Sequence, residues 1–166
     1  MRKIVSAALA AGVLLAAGSA TAATTTTTAT FTVSATVQKA CSVSAAGLAF
    51  GNYTPGGGAI TGSTTISVAC TKGTSYTVAL NKGANGTIAQ RLMTNGSDTL
   101  QYNLYTSSAL TTLFGDGTSG STSTGSGSGL GTTNSITVYG NLPDNTNNQA
   151  VTPGNYSDTV TVTVTY

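Results

Sequence analysis

The 166-residue sequence contains no His, no Trp and no Glu, and only 6% of its residues are charged. Without His, the Ser–His–Asp and Cys–His nucleophilic arrangements are excluded, along with most zinc sites. No Ser-x-x-Lys spacing occurs, so a Ser–Lys nucleophile lacks its signature. Carboxylates are confined to Asp98, Asp116, Asp144 and Asp158, scattered along the chain. That is a poor supply for the paired carboxylates of glycoside hydrolysis. Asp116 lies in a Gly-rich stretch but brings one carboxylate where a hard cation wants several oxygen donors, so it reads as a turn aspartate. The run from Gly125 to Gly131 lacks the lysine and following helix of a phosphate loop. No catalytic residue, metal ligand or cofactor is expected.

Long apolar runs are also missing, except for Ile4 to Ala17. Arg2 and Lys3 precede that run and the small residues Ala20-Thr21-Ala22 follow it, which predicts a secretory signal peptide over residues 1–22. The run is short for a membrane anchor, the other reading. Once Arg2 and Lys3 are set aside, four cations (Lys39, Lys72, Lys82, Arg91) face four aspartates. The basic pI therefore belongs to the precursor, and a nearly neutral product gives no electrostatic case for nucleic acid or an anionic membrane. The only two cysteines, Cys41 and Cys70, lie in the exported part, where an even pair reads as one disulfide. Free thiols for redox or metal chemistry would want a C-x-x-C spacing or a His partner.

What the sequence does have is Thr, Ser, Gly and Val in period-two alternation, which predicts an all-β fold. Ala29, Phe31, Val33, Ala35 and Val37 alternate with Thr and Ser. Ile66, Val68 and Cys70 mark a second strand, Tyr76, Val78 and Leu80 a third, and Leu100, Tyr102 and Leu104 another. Ile136 and Val138 mark a short strand before a turn signal at residues 140–144. Tyr156, Val160, Val162, Val164 and Tyr166 mark the longest strand of all, and residues 87–93 a weaker one. Turn formers separate these runs, as in an immunoglobulin-like β-sandwich. The Gly/Ser/Thr stretch over residues 115–135 is expected to be a mobile surface loop. Tyr53, Tyr76, Tyr102, Tyr105, Tyr139 and Tyr156 read as strand-packed tyrosines with hydroxyls at the rim, rather than a sugar-binding face.

The ends bear on function. The last alternating run reaches Tyr166 and leaves nothing for a further strand, so a sandwich lacking its closing strand is expected to expose an apolar groove and an unpaired edge. Residues 29–37 are either the first strand of a complete sandwich or a segment that fills such a groove in another copy by β-strand addition. Periodicity supports both.

A resemblance favours the second. Thr30-Phe31-Thr32-Val33, Cys41-Ser42-Val43, residues 48–53 (LAFGNY) and residues 68–74 (VACTKGT) follow one another in order. Residues 100–105 (LQYNLY), Phe114-Gly115-Asp116-Gly117, Thr137-Val138-Tyr139-Gly140 and residues 153–162 (PGNYSDTVTV) come after them. Together these segments resemble the spore coat protein U domain, as in subunits of archaic, Csu-type chaperone–usher pili. Phe114 stands where Trp is expected in many relatives, and the Gly/Ser/Thr stretch is longer than expected. The resemblance implies an incomplete immunoglobulin-like β-sandwich completed by a donor strand from a neighbouring subunit. It divides the chain into a signal peptide (1–22), a donor segment (23–37) and a pilin domain (38–166). It also implies a Cys41–Cys70 disulfide, donor side chains Ala29, Phe31, Val33, Ala35 and Val37, and an acceptor edge of Tyr156, Val160, Val162, Val164 and Tyr166. The partners it implies are other pilus subunits, a periplasmic chaperone and an outer-membrane usher. The expected role is a structural pilus subunit at the cell surface that supports adhesion and biofilm formation. The other reading is a secreted adhesin, lectin-like or coat protein outside any pilus.

Overall fold

The computed structural model describes residues 22–166. The signal peptide expected over residues 1–22 therefore lies outside the described residues, except for Ala22. The chain divides into two units, residues 1–36 and residues 37–166. In the first, residues 22–36 form no helix or strand and every side chain is exposed.

The second unit is all-β, with no α-helix among the described residues. It contains β1 (Cys41–Ala45), β2 (Ile60–Cys70), β3 (Ser75–Leu80), β4 (Asn85–Gly86) and β5 (Arg91–Thr94). β6 (Thr99–Tyr105), β7 (Ser123–Ser126), β8 (Asn134–Leu142) and β9 (Val162–Thr165) follow, with one short 3-10 turn at Asn148–Ala150 before β9. One sheet has the order β1-β2-β8-β6-β5-β4 and the other β7-β3-β9. Every strand pairing is antiparallel.

Alternation explains the core. Ile66, Val68 and Cys70 of β2, Tyr102 and Leu104 of β6 and Val138 of β8 form one cluster with Tyr76, Val78 and Leu80 of β3. These are the apolar positions of period-two runs, and they meet because side chains at i and i+2 share a sheet face. Cys41 and Cys70 stand opposite each other in the β1–β2 ladder and are joined as a disulfide, with Cα atoms 4.1 Å apart.

Four expectations are corrected. The longest strand is β2, not the C-terminal run, of which only residues 162–165 form a strand. Residues 156–161 keep the alternation in burial but gain no continuous ladder: backbone bonds reach the stretch at Ser157, from Thr94, and at Thr161, from Asn81, and the Asp158 side chain ties down the residues between. The weak strand over residues 87–93 is interrupted by a turn: the Thr87 amide donates to the Gln90 carbonyl (2.9 Å), and the Gln90 amide donates back to the Thr87 carbonyl (3.2 Å). The turn signal at residues 140–144 starts too early, since β8 runs to Leu142.

The Gly/Ser/Thr stretch over 115–135 is not simply a loop. It supplies β7, paired to β3, and the start of β8. Its lack of apolar alternation hides a packing requirement, because the Tyr76 ring occupies the space that a side chain at Gly125 would need. Gly127 in turn exchanges backbone hydrogen bonds with Gly73 (2.9 Å) and Thr74 (2.8 Å).

Candidate functional site: an open groove in the sandwich

The three-stranded sheet stops at β9, which pairs with β3 on one side only, and the larger sheet stops at β1. Two irregular segments extend these elements, residues 46–55 after β1 and residues 151–161 before β9. Between them runs a groove of about 1050 Å³. Ile66, Leu80, Leu100, Leu104, Val138 and Leu142 line its floor. A groove with apolar floor and flanking strand edges that lack a partner has the chemistry of a β-strand acceptor.

The N-terminal rim lies on glycine. Gly62 of β2 and Gly140 of β8 are register partners. Side chains at those positions would meet Leu48 and Phe50, so the two glycines let the rim settle on the sheet. Phe50 stands edge-on to the Tyr102 ring, with centroids 6.2 Å apart. The far end of this rim is hooked by Asp144, which accepts from the Tyr53 hydroxyl (2.5 Å) and the amides of Gly56 (3.0 Å) and Gly58 (2.8 Å). These donors hold the Asp144 carboxyl down at about 2. Desolvation, followed by the same carboxylate, pushes the Tyr53 phenol up to about 12.

The C-terminal rim is stitched at several points. Asp98 accepts from the amide (2.8 Å) and hydroxyl (2.6 Å) of Thr152, which lowers its pKa. Thr94 and Ser157 exchange backbone hydrogen bonds at 3.0 and 3.1 Å. Asp158 accepts from the Tyr102 hydroxyl (2.5 Å) and the Ala84 amide (2.8 Å). Burial, followed by that carboxylate, raises the Tyr102 phenol above its ordinary range. The Asn81 side-chain oxygen accepts from the Thr161 amide (2.8 Å), and the Asn81 amide donates to the Thr161 carbonyl (3.1 Å).

Beneath this rim Arg91 is fully buried. Its guanidinium donates twice to the Asn81 carbonyl (3.1 and 2.8 Å) and once to the Phe114 carbonyl (2.7 Å). Desolvation lowers its pKa, opposed by Tyr102, Asp158 and Asp116. Arg91 thus clamps the carbonyl of the residue that holds Thr161.

The structure places the expected residues unevenly. Val160 and Val162 line the groove. Val164 packs on the core as they do, and Tyr166 is 53% exposed. Tyr156 lines the groove and donates its hydroxyl to the Thr152 carbonyl (2.8 Å). Phe31, Val33 and Val37 are 87%, 82% and 86% exposed, and residues 29–37 form no strand. Sequence reasoning missed the stitching residues Asn81, Arg91, Asp98, Asp144 and Asp158. Their signal was the scarcity of charge itself, since three of only four aspartates hold the rims.

Residues 27–163 match the Spore Coat Protein U domain family. The chain belongs to that family. A comparison with curated proteins found no match. Among solved structures, this spore coat protein U domain is similar to a chain of the chaperone–tip adhesion subunit pre-assembly complex from archaic chaperone–usher Csu pili of Acinetobacter baumannii. Identity is 26% and the TM-score 0.53, over 79% of this chain and 40% of that one. The fold is an incomplete immunoglobulin-like sandwich, and the chain spans less than half the length of the solved chain it matches.

Proposed function

We propose that this protein is a structural subunit of a bacterial surface pilus, assembled by the chaperone–usher route through donor-strand exchange. In this reading Ala29, Phe31, Val33, Ala35 and Val37 of one copy enter the groove of the next, against an acceptor edge of Tyr156, Val160, Val162, Val164 and Tyr166. The observation that carries it is the pairing of complementary defects: an apolar groove beside the free edge of β9, and an alternating apolar segment with Phe31 87% exposed. Burying Phe31 and Val33 is worth about 1.5–3 kcal/mol each, and backbone pairing along β9 adds affinity and direction.

A groove this apolar needs cover before assembly. A periplasmic chaperone supplies that cover, and an outer-membrane usher exchanges it for the next subunit. The product is a surface fibre reached through the periplasm, with attachment and biofilm formation as its role. The Acinetobacter baumannii complex and the family match support this route. The test is deletion of residues 23–37 in producing cells. The truncated subunit is expected to be exported yet absent from fibres beyond one donor-less terminus, and normal fibres built from it alone would refute the reading.

A further inference from the structure

Along the C-terminal rim and β9 the residues at 156, 158, 160, 162 and 164 are half-buried, and those between them are exposed. Asp158 is the one charge in that inward series. Its carboxylate is bound to Tyr102 at the groove floor, and Tyr102 meets Phe50 of the opposite rim. Phe50, Tyr102 and Asp158 therefore form a line of contacts across the groove, apolar at one end and anionic at the other. A large apolar side chain laid over the anionic end would strip water from an ionised carboxylate, at a cost that hydrogen bonds offset only in part. A methyl group there leaves the carboxylate hydrated.

The segment at residues 29–37 carries a matching break. Its apolar series is Ala29, Phe31, Val33, Ala35 and Val37, with the bulk interrupted at Ala35. Laid antiparallel to the rim with Ala35 at Asp158, Val33 meets Val160 and Phe31 meets Val162. Ala29 then meets Val164 and Val37 meets Tyr156, so every member of each series has a counterpart. A parallel alignment with Ala29 at Asp158 instead carries Val37 out to Tyr166, which is 53% exposed.

We propose that Asp158, held by Tyr102, sets the register of the strand that enters the groove by admitting only a small side chain, and that this side chain is Ala35 of a second copy. The proposal rests on the donor-strand reading above. It makes Asp158 a specificity-determining residue for which strand is accepted and how far it slides.

The test uses the full chain, assembled in producing cells and read as a multimer ladder on unheated gels. Ala35→Phe is expected to lower the assembled fraction about ten-fold, and Ala29→Phe by less than about three-fold. Adding Asp158→Ala to Ala35→Phe should restore assembly to within about three-fold of the parent. Because Asp158→Ala also removes a rim contact, a second readout is needed. Ala35→Cys with Asp158→Cys should give a cross-linked, reducible ladder, and Ala29→Cys with Asp158→Cys should not. The opposite cross-linking pattern, or equal tolerance of Phe at 29 and 35, overturns the register. Phe31→Arg separates the two levels. A Phe31→Arg chain that assembles like the parent overturns the donor reading itself. Its failure to assemble, combined with a tolerant Ala35→Phe, overturns only the role of Asp158.

Discussion

The two rims of the groove are built from different materials. The N-terminal rim starts at a covalent anchor, the Cys41–Cys70 disulfide, then lies on the paired glycines Gly62 and Gly140 and ends on the Asp144 hook. The C-terminal rim has no covalent tie along its length and is fixed at intervals by Asp98, Thr94, Asp158 and Asn81. Neither rim carries a strand ladder through its irregular part. The difference assigns separate tasks. In the donor-strand reading proposed above, the disulfide-anchored wall offers Leu48 and Phe50 to the entering strand, and the stitched wall offers Val160, Val162 and the free β9 edge.

The largest expected effect comes from cutting the anchor. Replacing Cys41 and Cys70 together by Ser should destabilise the domain by about 3–4 kcal/mol on the loop-entropy estimate. Denaturant midpoints of the oxidised parent and the variant measure this. A negligible loss would mean that β1 and its rim are held by packing alone.

Next in size is the indexed rim. Asp158→Ala leaves the buried Tyr102 hydroxyl without its acceptor and should cost about 2 kcal/mol. Asn81→Ala removes the acceptor of the Thr161 amide but leaves the backbone bond in place, so about 1 kcal/mol is expected. Thermal unfolding of both variants ranks them, and a reversed order would make Asn81 the principal stitch.

The smallest effect is a pH response at the Asp144 hook of the N-terminal rim. Asp144 has its folded pKa depressed from 3.8 to about 2. Its contribution is therefore fully present above the unfolded value and is lost as pH falls from 3.8 through about 2. Limited proteolysis of the loop from Tyr53 to Gly58 should quicken in that window in the parent. In Asp144→Asn it should be fast at neutral pH and show no such step. An identical acid profile in both chains would remove Asp144 from the account.

Much of the fold was legible because the core obeys one rule. Ile66, Val68, Tyr76, Val78, Leu100 and Tyr102 alternate with polar residues, and all six are buried. β7 was illegible because its side chains are small on both faces: Gly125 is required by the Tyr76 ring above it, and a glycine leaves no hydropathy signal. The apolar half of the proposed acceptor edge, the groove-lining Val160 and Val162, could be read from alternation. Its polar half could not, since Asp158, Asn81 and Asp98 act on partners as much as 80 residues away. A sequence shows that charge is scarce but not which backbone amides the few carboxylates will meet. Arg91 is the extreme case, a surface cation by composition that lies fully buried under carbonyl oxygens.

Hydrogen–deuterium exchange at the β9 amides, Val162–Thr165, tests the central claim most directly when assembled wild-type chain is compared with a Phe31→Arg chain. A donor strand from another copy predicts strong protection along the outer edge of β9 in the assembled protein, and its loss in Phe31→Arg. Equal exchange at β9 in the two samples would contradict a fold completed by its neighbour.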